Sequence, residues 1–224
     1  MSEQLFFPYG DTEIQWLQSR DPILGAAIER IGHIERPLMP NMFSALLHTI
    51  VGQQISTKAH LTVWLRMQER FAPLTPEHLG TVTAEELQTC GISLRKATYI
   101  KDIAYAVLNG DVRLEELSFL SDEEVCDRLI RFKGIGTWTA EMLMIFTLQR
   151  PNILSYNDLG IHRGLRMLYH HRRVTPELFE KYRRRYAPYA TVASLYLWAI
   201  AGGACPEMKD YAPQASKAKK KPAS

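Results

Sequence analysis

Residues 129–146 read LIRFKGIGTWTAEMLMIF and place Gly134 and Gly136 between two stretches with helical periodicity. Apolar residues recur at helical spacing before the glycines, and a second apolar helix pattern begins one or two residues after them. Two glycines that flank one apolar residue permit a very tight reversal, because glycine tolerates positive φ. Ile135 is then expected to fill the crevice between the two helices. The stretch therefore predicts two helices joined by a hairpin over residues 122–149.

The second helix of this hairpin is predicted to begin with backbone N–H groups that no earlier carbonyl accepts. Such amides, together with the positive end of the helix dipole, form a site for a phosphate group. An ordinary helical hairpin with a glycine turn explains the same residues, and the GIG sequence alone leaves both interpretations open.

The rest of the chain is helical in pattern, with no convincing alternating strand. Asp21-Pro22 predicts a helix start and Gly32 its end, while Thr83–Glu86 and Ser121–Glu124 fit capping boxes. Further helices are predicted over 43–50, from 57, from 93, and over 138–148, 158–169, 175–186 and 190–201. We expect an all-α fold, a compact two-lobed helical bundle with the active site in the cleft between the lobes. Residues 1–216 form this domain, and 217–224 are a basic, disordered tail.

Composition narrows the class of protein. Of 224 residues, 46% are hydrophobic, yet no apolar run is long enough for a membrane helix. The three cysteines are widely spaced and form no CxxC pair, which argues against a disulfide framework, a zinc site or an iron–sulfur cluster. No secretory signal is recognisable. We expect an intracellular protein, cytoplasmic and nucleoid-associated, or nuclear if the organism is a eukaryote.

Positive charge is concentrated in one region. The net charge is only +3, but residues 163–185 hold eight basic residues against two acidic ones. This distribution suggests a polyanionic partner. A solvated helix face explains the same residues, and from charge alone it is the favoured interpretation. The lysine tail fits an interaction arm or a solubilising end equally well.

Asp158 lies at the predicted start of a helix, twenty positions after Trp138. An aspartate there is most often an N-cap that accepts first-turn amides. The same amides favour negative charge and would point the carboxylate toward the groove that the hairpin borders. Both roles are compatible.

The run KGIGTWTAEMLMIF followed by NDLGIHRG resembles the helix–hairpin–helix DNA glycosylase superfamily, in particular its DNA-3-methyladenine glycosylase II (alkylbase) branch. The similarity continues in DPILGAAIERIG, FSALLHTIVGQQISTKA, GISLRKATYIKDIA and YAPYATVASLYLWAIAGG, over roughly residues 20–203. Each motif is weak alone, and the combination is specific. Three departures concern Ser155-Tyr156, where many relatives have Phe-Pro, Met142 in place of an aromatic, and Ala190-Thr191 in place of Arg-Ser.

The resemblance implies roles for particular residues. Asp158 matches the catalytic aspartate, and Trp138 stands where bifunctional members carry a Schiff-base lysine, which implies a monofunctional enzyme without lyase activity. The turn residues Gln53, Gln54 and Ile55 match the segment that enters the gap left by a flipped base, with Gln54 the expected wedge. The implied base-pocket residues are Trp138, Trp198 and Tyr156. The implied phosphate-binding residues are Lys133, Gly134, Gly136, Thr137, Thr139 and Arg163.

The backbone carbonyls of Phe132 and Ile135 match positions that bind a monovalent cation, so a structural Na⁺ or K⁺ is expected there and no other cofactor is required. The expected partner is double-stranded DNA that contains alkylated bases, bound by a monomer. The expected function is hydrolytic excision of alkylated purines, such as 3-methyladenine and 7-methylguanine, in base excision repair. Two alternatives stay open: a glycosylase of the same superfamily for deaminated or mismatched bases, and a non-catalytic DNA-binding protein.

Overall fold

A computed structural model describes residues 4–213, so the basic tail at 217–224 lies outside the described residues. Within that range the chain is helical and contains no strand, only one isolated bridge between Phe6 and Pro37. The all-α prediction is confirmed. The helices are α1 Asp11–Arg20, α2 Pro22–Ile31, α3 Met42–Gly52, α4 Thr57–Phe71, α5 Pro76–Thr81, α6 Ala84–Gln88, α7 Leu94–Leu108, α8 Asp122–Leu129, α9 Thr137–Phe146, α10 Leu159–Tyr169, α11 Pro176–Tyr186 and α12 Ala190–Ala201, with one 3-10 helix at Leu114–Phe119.

The helices group into two compact units. Among the described residues, the first unit comprises 4–8 with Glu35–Ile153, and the second comprises Tyr9–Ile34 with 154–213. The first unit therefore holds α3 to α9 and the predicted hairpin. The second holds α1 and α2 from the start of the chain and α10 to α12 from its end.

Side-chain caps fix several helix starts where the sequence predicted them. The Asp21 carboxylate accepts the backbone amides of Ile23 and Leu24 at 3.1 and 3.0 Å. Thr83 with Glu86 and Ser121 with Glu124 form reciprocal capping boxes. Each cap satisfies amides that have no partner inside the helix, which stabilises the helix by about 1 kcal/mol.

Three cationic side chains in the first unit cap carbonyl groups at the ends of helices. The Lys101 ammonium donates to the carbonyls of Leu79, Gly80 and Val82, at the end of α5. Arg150 donates in the same way to Leu117, Ser118 and Leu120, which end the 3-10 helix. Lys96, described below, does so at the end of α3. A cation at a helix C-terminus also offsets the negative end of the helix dipole.

The second unit is built around α12, which is buried along nearly its whole length. Helix α10 packs against it so closely that a Cβ atom at Gly164 would lie 2.4 Å from the carbonyl oxygen of Leu197. Only glycine permits this approach of two backbones. The contact fixes α10, and with it the residue at its N-terminus, against α12.

A buried polar network joins α2, α10 and α11 in the second unit. Asp21 is 1% exposed, and its second carboxylate oxygen accepts the Tyr169 hydroxyl at 2.7 Å and the Arg185 guanidinium at 2.6 Å. Burial raises the pKa of Tyr169 and Tyr186, so both hydroxyls stay protonated. Tyr186 then donates to Tyr169 at 2.6 Å. The pairing accounts for a carboxylate in the core, since a buried charge without partners is strongly destabilising.

The helix boundaries differ from the prediction in a few places. The sequence predicted neither α1 nor α5: α1 is polar with only Leu17 buried, and α5 has six residues. Helix α8 ends at Leu129, earlier than the glycines, and α9 ends at Phe146 instead of residue 148. Over residues 4–213 no helix is long and apolar enough to cross a membrane.

Candidate active site and DNA-contact elements

Asp158 is the N-cap residue of α10 and is buried, with 7% of its surface exposed. Its Oδ1 atom accepts the backbone amide of Ile161 at 2.8 Å, which confirms the predicted capping role. The helix N-terminus places positive partial charge beside the carboxylate, and this charge stabilises an anion there. Asp158 is therefore held in one orientation at a point where negative charge is favoured.

The Trp198 indole also holds Asp158. Its Nε1 atom donates to the same Oδ1 oxygen at 2.9 Å. Gly160 makes room for this contact, since a Cβ atom there would lie 2.9 Å from Trp198 Cδ1 and 3.1 Å from Asp158 Oδ1. The sequence predicted Trp198 as a stacking surface for a base. The structure adds a role that the sequence did not reveal, which is to orient the carboxylate.

Tyr156 lies two residues before Asp158, and its side chain is 39% exposed. The His162 ring, one turn into α10, contacts the Tyr156 carbonyl through Nε2 at 2.7 Å. The Tyr156 ring packs edge-on against both His162 and Phe179, each at a centroid separation of 5.0 Å. Ser155 beside it is 1% exposed. The loop that replaces the Phe-Pro of many relatives is therefore fixed by packing and by His162, without a proline.

The hairpin in the first unit contains two glycines. Its geometry requires a glycine at position 134 but not at position 136. Gly134 has φ +89°, and a Cβ atom there would lie 2.8 Å from the Tyr99 ring. Gly136 has φ −99°, and a Cβ atom there would meet nothing within 4 Å. Between them Ile135 is buried at 5% exposure and donates its amide to the Phe132 carbonyl at 3.0 Å. The prediction that Ile135 plugs a crevice is consistent with this burial.

Helix α9 begins without a side-chain cap. Gly136 is its N-cap residue and, as a glycine, has no side chain that could accept the first-turn amides. Thr137 is exposed, and Trp138 is 44% exposed. Thr139 is only 7% exposed, so its contact with phosphate stays a prediction. The remaining amides and hydroxyl form a surface suited to an anion.

The two predicted phosphate-binding cations have acidic neighbours. Lys133 lies 3.3 Å from Asp102, with 71% of the lysine side chain exposed. Arg163 lies 3.9 Å from Asp210, which Arg166 also binds at 2.7 Å. Arg166 belongs to the region 163–185, which is rich in basic residues. Arg185, which binds Asp21, belongs to the same region. The folded protein therefore neutralises part of that charge internally, and the sequence overstated the cationic surface.

The predicted wedge residues occupy the turn between α3 and α4. Gln54 and Ile55 are exposed, and Gln54 adopts a left-handed conformation with φ +56°. Gln53 differs from them, because its amide Nε2 donates to the Gly134 carbonyl at 2.7 Å. This bond holds the Gln53 side chain against the hairpin, which favours Gln54 or Ile55 as the wedge.

Sequence reasoning missed Lys96, Tyr99 and His162 as residues that shape these elements. The Lys96 ammonium donates to the carbonyls of Val51 and Gln53 at 2.9 and 2.6 Å. Burial, and then the charge of Arg95, lowers the pKa of Lys96. Lys96 and Tyr99 occur in the GISLRKATYIKDIA run, but nothing in that run indicates a contact with a turn more than forty residues earlier.

Comparison with known proteins gives a consistent result. A model of HhH-GPD superfamily base excision DNA repair proteins matches residues 47–188. DNA-3-methyladenine glycosylase 1 of Schizosaccharomyces pombe is 34% identical over 163 residues, which cover 70% of this chain and 71% of the relative.

Solved structures agree with this family. A crystal structure of DNA-3-methyladenine glycosidase from Bacillus halodurans has a TM-score of 0.81 and 35% identity, covering 91% of this chain and 95% of that one. S. pombe Mag1, a 3-methyladenine DNA glycosylase solved in complex with abasic DNA, has a TM-score of 0.72 and 30% identity, covering 86% and 97%. The hairpin, the capped aspartate and these similarities lead to one conclusion: the chain belongs to the HhH-GPD superfamily of base excision DNA repair proteins.

Proposed function

We propose that this protein is a monofunctional DNA glycosylase of the DNA-3-methyladenine glycosylase II type, which hydrolyses the N-glycosidic bond of alkylated purines in double-stranded DNA. The observation that carries the proposal is the geometry of Asp158, a buried carboxylate oriented by a helix amide and by the Trp198 indole. The relatives described above, whose names specify 3-methyladenine, support alkylated bases as the substrate class.

The chemistry needs little beyond this carboxylate. Methylation at N3 or N7 gives a purine positive charge, so the base departs with the bonding electron pair and without a strong general acid. The sugar becomes oxocarbenium-like, and the Asp158 carboxylate stabilises its positive charge. Water then bonds to C1′ and loses one proton, which Asp158 or solvent accepts. The products are the free base and an abasic site.

A lyase step is not part of the proposal. Strand cleavage by a Schiff base requires a lysine amine, and the resemblance to the superfamily implies that Trp138 stands at the position of that lysine. Lys133, the nearest lysine in the hairpin, lies five positions earlier and next to Asp102. We expect the abasic strand to remain intact after excision.

Aromatic side chains are proposed to bind the cationic base. Tyr156 and Trp138 expose part of their rings, and stacking of a cation on an aromatic face contributes about 0.5–2 kcal/mol. Trp198 is partly exposed and offers its ring while its Nε1 atom stays on Asp158. Neutral purines gain less from this stacking, which favours alkylated bases over normal ones.

DNA binding and base flipping are assigned to the first unit. The uncapped amides at the start of α9, with Gly134, Gly136, Thr137 and Lys133, are proposed to bind phosphate. Gln54 and Ile55 are proposed to fill the gap left by the flipped base, a step that offsets an unstacking cost of a few kcal/mol. Arg163 of the second unit is proposed as a further phosphate contact.

A monovalent cation at the hairpin fits the ligand chemistry present. The Phe132 carbonyl accepts the Ile135 amide, and a carbonyl oxygen retains a second lone pair for a hard cation. We propose that the carbonyls of Phe132 and Ile135 would hold Na⁺ or K⁺, which would supply positive charge for phosphate binding. The glycosylase step itself uses water and the protein's own residues, and we propose that a monomer carries it out.

The test is product analysis on DNA that contains 3-methyladenine, 7-methylguanine, hypoxanthine or uracil, with the parent protein and Asp158→Asn. We expect the parent to release methylated purines, and Asp158→Asn to bind the same DNA with release reduced at least 1,000-fold. Glu141→Gln serves as a carboxylate control from the hairpin. Release by Asp158→Asn at the parental rate contradicts the mechanism, and release of only hypoxanthine or uracil contradicts the substrate class. Absence of any product, with DNA binding unaffected by Asp158, indicates a non-catalytic DNA-binding protein.

A further inference from the structure

The turn between α3 and α4 carries a residue in a strained conformation. Gln54 has φ +56°, a left-handed backbone that costs a non-glycine residue about 1 kcal/mol or more. The residue is also exposed and makes none of the side-chain bonds found at its neighbour. A strained, exposed residue keeps its conformation only where surrounding contacts determine it.

Two contacts hold the turn from the side of the helices. Lys96, on α7, donates to the carbonyls of Val51 and Gln53, which directly precede and follow Gly52. The His60 ring, on α4, lies so close to Gly52 that a Cβ atom there would be 2.6 Å from it. These contacts fix the backbone of residues 51–53, which lead into the turn.

A third contact connects the turn to the hairpin. The Gln53 amide donates to the Gly134 carbonyl at 2.7 Å, between residues 81 positions apart in sequence. Gly134 is itself fixed, because its left-handed backbone packs against the Tyr99 ring. The bond therefore joins the residue before Gln54 to a rigid point two residues before the N-cap of α9.

We propose that Gln53 is a positioning residue for base flipping: its hydrogen bond to the Gly134 carbonyl fixes Gln54 relative to the phosphate-binding amides of α9. The inference rests on the proposed function, since it assumes that Gln54 enters the base stack and that the α9 amides hold phosphate. Gln53 touches neither the base nor the reacting sugar. Its effect on the reaction passes through Gln54.

The α9 amides determine where a phosphate sits, and the flipped nucleotide must leave the stack at a defined distance from it. If Gln54 is held at that distance before DNA binds, no binding energy is used to order it. Without the bond, Gln54 samples several positions, and the fraction of time in which it fills the gap falls. We expect the flipped population to fall about 10-fold, because misplacement by about 1 Å is known to reduce rates up to 100-fold.

The test uses Gln53→Met, which keeps the length of the side chain and removes the donor, with Gln68→Met on the exposed face of α4 as the matched control. Flipping is followed by the fluorescence of 2-aminopurine placed beside a methylated purine, and excision by single-turnover rates. Affinity is measured separately for DNA that already contains an abasic site, which needs no flipping. We expect Gln53→Met to lower the flipping signal and the excision rate about 10-fold, with abasic-site affinity within about 2-fold of the parent.

A double-mutant cycle shows whether Gln53 acts through Gln54. We expect Gln54→Ala to lower flipping and the added Gln53→Met to lower it no further. Additive losses overturn the proposal, as does an unchanged flipping signal or an equal loss of abasic-site affinity, which indicates that Gln53 only supports the hairpin. If the melting temperature shows that Gln53→Met is unfolded, Gln53→Glu, which places an acceptor against the carbonyl, repeats the test.

These outcomes separate the inference from the proposed function. Failure of the Gln53 experiment in a protein that excises methylated purines through Asp158 overturns the inference alone. A parent protein that excises no alkylated base overturns the proposed function instead.

Discussion

Trp198 and Asp158, forty residues apart, share one hydrogen bond of 2.9 Å from the indole Nε1 to Oδ1. Two donors on Oδ1 leave the carboxylate little rotational freedom. The position of its second oxygen is therefore limited as well. The tryptophan thus contributes to the orientation of the catalytic group proposed above, in addition to any stacking by its ring.

Replacement of Trp198 by Phe tests this orientation. The substitution keeps an aromatic face and removes the donor, and a hydrogen bond to a charged group contributes about 1.5–3 kcal/mol. We expect the single-turnover excision rate to fall about 10-fold, with little change in affinity for abasic DNA. Trp16→Phe is the matched control, since the Trp16 indole donates to the Ala187 carbonyl at 3.0 Å in the same unit. An equal loss of rate in both variants shows that the effect is one of stability and not of orientation.

Gly164→Ala is expected to destabilise the second unit. The new methyl group would lie 2.4 Å from the Leu197 carbonyl oxygen, so α10 and α12 must separate. Overpacking of this kind costs about 1–3 kcal/mol, which lowers the melting temperature by roughly 5 °C in a chain of this size. At Gly10, no atom lies within 4 Å of a Cβ, so Gly10→Ala should shift the melting temperature by no more than 1–2 °C, or about 0.5 kcal/mol. A parental melting temperature for Gly164→Ala contradicts the close packing of the two helices.

The two hairpin glycines should respond differently to substitution. Gly134→Ala places a side chain at φ +89° and against the Tyr99 ring, and we expect DNA affinity to fall about 10-fold as the hairpin rearranges. Gly136→Ala meets no atom within 4 Å and should bind DNA within about 3-fold of the parent. The affinity of each variant for undamaged duplex DNA tests these two expectations. Equal behaviour of the two variants is the result that counts against the hairpin geometry.

Stability should fall in acid because of His48. Burial, and then the neighbouring His60, lowers the pKa of His48 from 6.5 to about 4. Between pH 6.5 and 4, His48 is therefore protonated in the unfolded chain but not in the folded chain. The free energy of unfolding is highest above pH 6.5 and decreases as the pH falls through this range.

Urea unfolding at pH 7.5 and pH 5 measures this loss. We expect His48→Gln to lose about 1 kcal/mol less stability than the parent over the interval, once solvent screening of the partly exposed ring is allowed for. The pKa values of His60 and His171 are also lowered, so some pH dependence remains in the variant. The same loss in both proteins shows that His48 is not the group responsible.

Salt dependence of DNA binding tests the phosphate contacts. The ion pair of Lys133 with Asp102 is exposed, and exposed pairs contribute little, so Lys133 is free to exchange Asp102 for phosphate. We expect Lys133→Gln and Arg163→Gln each to reduce the slope of log affinity against log salt by about 1. Arg113→Gln, an exposed cation paired with Glu116, is the control. If a variant has the same slope as the parent, the substituted residue does not contact phosphate.

Local signals in the sequence predicted much of the fold. Asp21-Pro22 and Gly32 bracket α2, and the two capping boxes begin α6 and α8, because caps and helix breakers act over three or four residues. Helix α12 was predicted with the bounds it has. Helix α1 escaped prediction, since a polar helix that buries one leucine has almost no periodic signal.

The candidate site was predicted less completely, because its decisive contacts are distant in sequence. Asp158 as an N-cap follows from its neighbours. The bond from Gln53 to Gly134 spans 81 residues, and the bond from Trp198 to Asp158 spans 40. No local pattern encodes either bond, so these contacts of Gln53 and Trp198 became visible only in the folded chain.

The division of the chain between the two units affects how the protein is made. Helices α1 and α2 emerge from the ribosome before α3 to α12, yet their partners in the second unit begin at Leu154, about 120 residues after Ile34. At roughly 5–20 residues per second, about 6–24 s pass before synthesis reaches Leu154, and the apolar face of α2, with Leu24, Ala27 and Ile28, waits longer still for α10 and α12. The first unit completes its own sequence during that interval. Nascent chains of this protein are therefore expected to expose α2 to chaperones until synthesis passes α12.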